Sequence, residues 1–207
     1  MSEISATAVK ELREISGAGM MDCKKALEAT KGDIKKALEY LRKTGIAKAE
    51  KKSGRSTKEG QIFSYIHPGS KLGVLIEINC ETDFVAKTDD FIKLNKDLAL
   101  HIAASTPISI NREDIPVDVL KREKDIYADQ ARQSGKPDNI IDKMIEGRIN
   151  KFSQENVLLE QAFVKDPDKT VQEIITDTIA ILGENIVVSR FVRFQLGEQI
   201  NNPSVSS

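Results

Sequence analysis

Leu72-Gly73-Val74-Leu75-Ile76-Glu77-Ile78-Asn79-Cys80-Glu81-Thr82-Asp83-Phe84-Val85-Ala86 joins an apolar strand to a polar tip that carries an aromatic residue. Leu72 to Ile78 is an apolar run of strand length, and it ends in polar residues that set an acidic side chain beside a phenylalanine. A catalytic loop usually offers a nucleophile, a base or a metal ligand set. This tip offers Asp83, which accepts hydrogen bonds or repels, and Phe84, a large apolar wedge; the pair suits prying at another protein. Two readings stand on the residues alone. Phe84 caps the sheet core while Asp83 caps a helical turn, or both are presented outward from the loop.

Gln61 to His67 with the turn Pro68-Gly69-Ser70-Lys71 predicts a hairpin with the Leu72 strand, and Ile186 to Leu196 a third strand. Side chains alternate in direction along a strand, so Leu75 opposes Val74, Ile76 and Ile78, Ile62 and Ile66 oppose Phe63 and Tyr65, and Val192 opposes Phe191. The sheet is apolar on both faces. Thr88 predicts a helix cap, with Asp89 and Asp90 in the first turn and Phe91, Leu94, Leu98 and Ile102 as its buried stripe. Another helix follows Thr170-Val171-Gln172-Glu173, a capping-box pattern, with Val171, Ile174, Ile175, Ile179 and Leu182 inward and Gly183 as its stop. Between them, beyond a loop at 107–116, two charged stretches (117–134 and 139–152) are joined by Gly135-Lys136-Pro137. Leu120, Tyr127 and Ala131 on one, and Ile141, Met144, Ile145 and Phe152 on the other, make the narrow seams of a projecting antiparallel helical hairpin.

The first 45 residues predict three short helices. Ser5 or Thr7 caps the first, with Val9, Leu12 and Ile15 along one side. The second buries Cys23, Ala26 and Leu27, and Asp33 caps the third, whose stripe is Ile34, Ala37, Leu38 and Leu41. So thin a core suits docking better than chemistry. The fold class is therefore α+β, divided into a three-helix module (1–45), a basic, mobile linker (46–60), a sheet and helix core in two parts (61–115 and 161–198), a helical hairpin (116–160) and a disordered tail (199–207).

The composition of the 207 residues, 40% hydrophobic and 30% charged, is that of an ordinary globular protein. Cys23 and Cys80 form no Cys-x-x-Cys pair, the start has no signal-peptide pattern, and no apolar run reaches the ~18 residues of a membrane span. A cytoplasmic location is expected, with no membrane partner. The net charge of −1 hides 14 Lys/Arg against 9 Asp/Glu in residues 1–60. A basic end could face RNA or an acidic protein surface. Tyr40 is its single aromatic residue, which weighs against single-strand recognition by base stacking. His67 and His101 have no metal-ligand spacing, and no phosphate-binding glycine loop or nucleophile elbow occurs. No catalytic residue, metal or cofactor is expected, and an enzyme is disfavoured.

Three motifs carry a resemblance. Glu11-Leu12-Arg13-Glu14 with Ser16-Gly17-Ala18-Gly19-Met20-Met21-Asp22-Cys23-Lys24-Lys25-Ala26-Leu27, then Asn79 to Lys87, then Gln133-Ser134-Gly135-Lys136-Pro137 with Glu146-Gly147-Arg148, are similar to the signatures of bacterial elongation factor Ts in its short form. The resemblance covers about residues 3–198 and favours the outward reading of Phe84. It implies a guanine nucleotide exchange factor for the GDP-bound GTPase elongation factor Tu. It implies a ubiquitin-associated-like three-helix module that docks through Met20, Met21, Lys24 and Lys25. The tip Thr82, Asp83, Phe84 and Val85 would then wedge into the GTPase and disturb its magnesium site. Longer members of the family carry a second sheet module and a C-terminal helical extension that this sequence does not show. A bare sheet face then implies a homodimer and a 2:2 complex, the alternative being that the helical hairpin folds back over that face. An RNA- or ribosome-binding protein using the basic N-terminal region, and a helical scaffold without exchange activity, are the rival readings.

Overall fold

A computed structural model of the chain describes residues 4–133 and 137–198. The expected tail and Ser134-Gly135-Lys136 lie outside them. The described elements run α1 (Ala6–Ser16), α2 (Met20–Ala29), α3 (Ile34–Glu50), β1 (Glu59–Ile66), β2 (Leu72–Cys80), α4 (Asp83–Ala86), α5 (Asp89–Ser105), α6 (Val117–Gln133), α7 (Asp138–Asn156), β3 (Ala162–Phe163), β4 (Asp166–Thr170), α8 (Val171–Leu182) and β5 (Ile186–Gln195). The fold is α+β, with a three-stranded antiparallel sheet in the order β1-β2-β5. Two compact units divide the chain, one of residues 1–61, 78–94 and 172–187, the other of residues 62–77, 95–171 and 188–207.

In the first unit, α1 to α3 close on Val9, Leu12, Cys23, Ala26, Leu27 and Ala37. Ser5 caps α1 by accepting from the Ala8 N–H, and Asp33 caps α3 by accepting from Lys36. Gly17 ends α1 in the left-handed conformation, its N–H bonded to the Arg13 carbonyl at 2.8 Å. Ile15 departs from the expected stripe: it is exposed, one residue before the end of α1.

The segment 46–60 differs most from the sequence reading. Its Lys, Ser and Gly content reads as linker, yet α3 continues to Glu50, because Ala47, Lys48 and Ala49 are good helix formers and Gly45 and Ala49 are buried. A Cβ at Gly45 would stand 3.2 Å from the Ala180 Cβ, so α3 lies close against α8. The turns that follow are tied down as well. Lys52 bonds to the Gly183 carbonyl, and the Asn185 side-chain amide donates to the carbonyls of Ser53 at 3.3 Å and Arg55 at 2.9 Å. Strand β1 then begins at Glu59.

In the second unit, α6 and α7 pair as the expected hairpin. Ala131 and Ile141 are buried in the seam and the Arg148 guanidinium lies 5.9 Å from the Tyr127 ring centre. Its root is fixed by Arg112, which donates to both Glu160 oxygens at 2.8 and 2.6 Å and to Asn150 at 2.8 Å. The short antiparallel pair β3-β4 was not legible, since Asp166-Pro167-Asp168-Lys169-Thr170 shows no apolar alternation. His101 is a satisfied core histidine: its Nδ1 accepts from the Val164 N–H at 3.2 Å, so Nε2 carries the proton and donates to Gln161 Oε1 at 2.9 Å. Within this unit one face of β2 is buried through Val74 and Ile76. On the other, Ile62, Ile66, Leu75, Val192 and Phe194 are all exposed, with an Arg190–Glu77 ion pair of 2.7 Å among them. Among the described residues, none of the hairpin buries these side chains.

Candidate functional site

At the end of β2 the chain turns into α4, and the turn is held from every side. Thr82 is the N-cap: its hydroxyl accepts from the Val85 N–H at 3.4 Å. The same hydroxyl donates to Glu184 Oε1 at 2.7 Å, while the N–H groups of Glu81 and Thr82 donate to Glu184 Oε2 at 3.1 and 3.0 Å. The Thr82 carbonyl accepts from the Ala86 N–H at 3.3 Å and from the Cys80 thiol at 3.1 Å. Burial, then the Glu184 charge, push that thiol up to about 11, so it stays a protonated donor. In return the Glu81 carboxylate accepts from the Asn185 N–H at 2.7 Å and faces Arg55 at 3.5 Å.

Asp83 opens the first turn of α4 and pairs with Lys87 at 2.7 Å, one turn on. The Lys87 ammonium holds its carboxyl below the usual carboxylate range and is itself raised by Asp83. Val85 faces inward and is buried. Phe84 stands 77% exposed between these anchored neighbours. Of the two readings of the tip, the buried cap on the sheet core is excluded for Phe84, and Thr82 rather than Asp83 is the cap. Glu184 and Asn185 lie more than 100 residues downstream and carry no local pattern that links them to the tip.

The second set of expected residues lies on α2. Met20 and Met21 are exposed (47% and 64%), as are Lys24 and Lys25, and the Lys24–Glu28 pair at 3.9 Å is loose and solvated. Gly19 opens the helix without a side-chain cap, and Asp22 pairs with Lys48 of α3 at 2.8 Å. Met21, Lys24 and Lys25 fall on one side of the helix by their spacing, an apolar and basic stripe. Among the described residues, no group of three or more His, Cys, Asp and Glu could hold a metal ion, and no helix is long and apolar enough to cross a membrane.

The turn is thus anchored by hydrogen bonds with Glu184 and Asn185 and leaves one aromatic side chain free at its tip. The chain belongs to the elongation factor Ts family, whose sequence profile matches residues 1–198. It is 58% identical to elongation factor Ts of Geobacter sulfurreducens over 195 residues, 94% of this chain and 90% of the relative. It is 57% identical to that of Syntrophomonas wolfei over 201 residues, 97% and 94%. With elongation factor Ts of Fervidobacterium nodosum it shares 58% over 196 residues, 95% of this chain and the whole of the relative.

Proposed function

We propose that this chain is a guanine nucleotide exchange factor that binds GDP-bound elongation factor Tu and releases GDP by disturbing the magnesium site of that GTPase. The observation that carries the reading is the exposed Phe84 on a turn whose other residues are tied down. Mg²⁺ demands near-octahedral geometry, so an apolar wedge that shifts its surroundings slightly weakens both the ion and the phosphates it bridges. Nucleotide must weaken the factor as much as the factor weakens nucleotide, which makes release reversible without a catalytic group. Thr82, Asp83 and Phe84 present the wedge, and Val85, expected with them, packs inward beneath it. Met20 and Met21, adaptable in packing, dock on the GTPase with Lys24 and Lys25 beside them. The chain makes and breaks no bond, is not an enzyme, carries no cofactor and acts in the cytoplasm without touching nucleic acid or membrane. Several basic residues of its N-terminal end are already engaged, Arg42 with Glu173, Lys48 with Asp22 and Arg55 with Glu81, which leaves less charge for RNA.

We also assign a homodimer that engages two GTPases, supported by the exposed sheet face of Ile62, Ile66, Leu75, Val192 and Phe194. The deciding experiment for exchange is loss of labelled GDP from elongation factor Tu in excess unlabelled nucleotide. Catalytic amounts of the chain should speed it many-fold; an unchanged rate would reject the function.

A further inference from the structure

We propose that Glu184 is a positioning residue for exchange, fixing the direction in which Phe84 points; the inference rests on the wedge reading above. Its carboxylate gathers three donors from the two residues just before the tip, the N–H groups of Glu81 and Thr82 on one oxygen and the Thr82 hydroxyl on the other. An ionised carboxylate only accepts, so the Thr82 hydroxyl must point its single proton at Glu184. Its lone pair then faces the Val85 N–H and starts α4, the turn that carries Phe84. The bond direction therefore propagates from Glu184 through Thr82 into the helical turn.

The clamp closes on itself. Glu81 returns a carboxylate to the N–H of Asn185, the residue next to Glu184. Asn185 is buried, and its amide binds the Ser53 and Arg55 carbonyls. The end of β2 and the entry to β5 are thus cross-stitched, and the wedge is ordered before it meets anything. A turn fixed in advance loses less conformational freedom as its tip enters a target, and that saving is felt in the step that displaces nucleotide. Removing Glu184 leaves Phe84 in place chemically but lets it sample many directions.

The test compares Glu184→Ala, the near-isosteric Glu184→Gln and Phe84→Ala. In the free protein, amide hydrogen exchange at Glu81, Thr82 and Val85 should rise at least tenfold in Glu184→Ala while α1 to α3 stay protected. In GDP release, its maximal rate should fall tenfold or more, with the half-saturating concentration moving less than twofold, because the docking stripe on α2 is untouched. Glu184→Gln keeps a carbonyl for the two N–H groups but turns a donor toward Thr82, so it should recover part of the maximal rate and fold in any case. Unchanged amide exchange at those three positions, an unchanged maximal rate, or a loss confined to half-saturation would each overturn the positioning role. Phe84→Ala separates the two ideas. Full activity in that variant defeats the wedge reading itself, whereas an inactive Phe84→Ala beside a fully active Glu184→Ala defeats only the role of Glu184.

Discussion

Gly45 on α3 and Ala180 on α8 meet so closely that a Cβ at Gly45 would lie 3.2 Å from the Ala180 Cβ. The contact makes the N-terminal helices part of the first unit, not a module on a tether. Arg42 pairs with Glu173 of α8, and a Cβ at Gly17 would meet Ile181 at 3.2 Å. Gly45→Ala should be nearly neutral, since the helix-propensity gain of up to ~1 kcal/mol offsets a tight contact. Gly45→Leu should cost about 1–3 kcal/mol by forcing the helices apart. Urea denaturation curves measure both; a Leu variant as stable as the parent would show that the helices do not press together.

Gly60 occupies a harder constraint. Its φ of +144° is reserved for glycine, and a Cβ there would fall 2.2 Å from the Ile78 carbonyl oxygen and 2.7 Å from the Asn79 Cα. Backbone cannot yield as a side chain can. Gly60→Ala is expected to lose about 2–5 kcal/mol, from strain and overpacking together. Thermal unfolding within 2 °C of the parent would contradict it.

Local pattern carried much of this fold. Phe91, Leu94, Leu98 and Ile102 follow helical spacing and are all buried, as are Val171, Ile175 and Ile179, because burial on a helix is written in its own period. Ile15 obeyed the period and is exposed all the same, since a helix end outruns the surface it packs on. Segment 46–60 misled through composition: its order comes from α8 and Asn185, partners far along the chain. The tip was half legible. Asp83 and Phe84 announce themselves by their chemistry, whereas Glu184 and Asn185 look like an ordinary turn after Gly183 until the fold brings them to Glu81 and Thr82.

Phe84→Ala should lower the maximal rate of GDP release at least tenfold and leave stability within about 0.5 kcal/mol of the parent, the range of ordinary surface substitutions. The exposure of the ring is the reason: a buried phenylalanine would cost about 3–5 kcal/mol on truncation. Exchange assays and denaturation on the same preparation decide between a wedge and a core residue.

His101 gives the fold an acid sensitivity. Burial pushes its pKa below the usual 6.5, against a raising effect of Gln161. The unfolded chain therefore binds a proton that the folded one resists, and stability is lost as pH falls from 6.5 toward the folded value. Protonation would place a second donor against the Val164 N–H. His101→Gln should flatten the pH dependence of stability between 7 and 5, whatever its own cost at pH 7. An equally steep dependence in that variant would assign it to other groups.

The assembly prediction rests on the alternation of the three strands. Val74 and Ile76 satisfy one face of the sheet, which leaves Ile62, Ile66, Leu75, Val192 and Phe194 facing outward, with Ile62 at 68% exposure. Single exposed apolar residues need no explanation, but five on one sheet face are the kind of surface that a partner would cover. A second copy brought face to face by a two-fold axis would bury it as two sheets bury their inner faces. Phe194→Arg places a charge in that patch without touching the buried face. Light scattering across a micromolar range should give a dimer for the parent and a mass near 23 kDa for Phe194→Arg, both well folded. A parent that stays near 23 kDa at every concentration rejects the dimer. Slower GDP release by the Phe194→Arg monomer would show that pairing contributes to exchange, while an unchanged rate per chain would make each copy a complete factor.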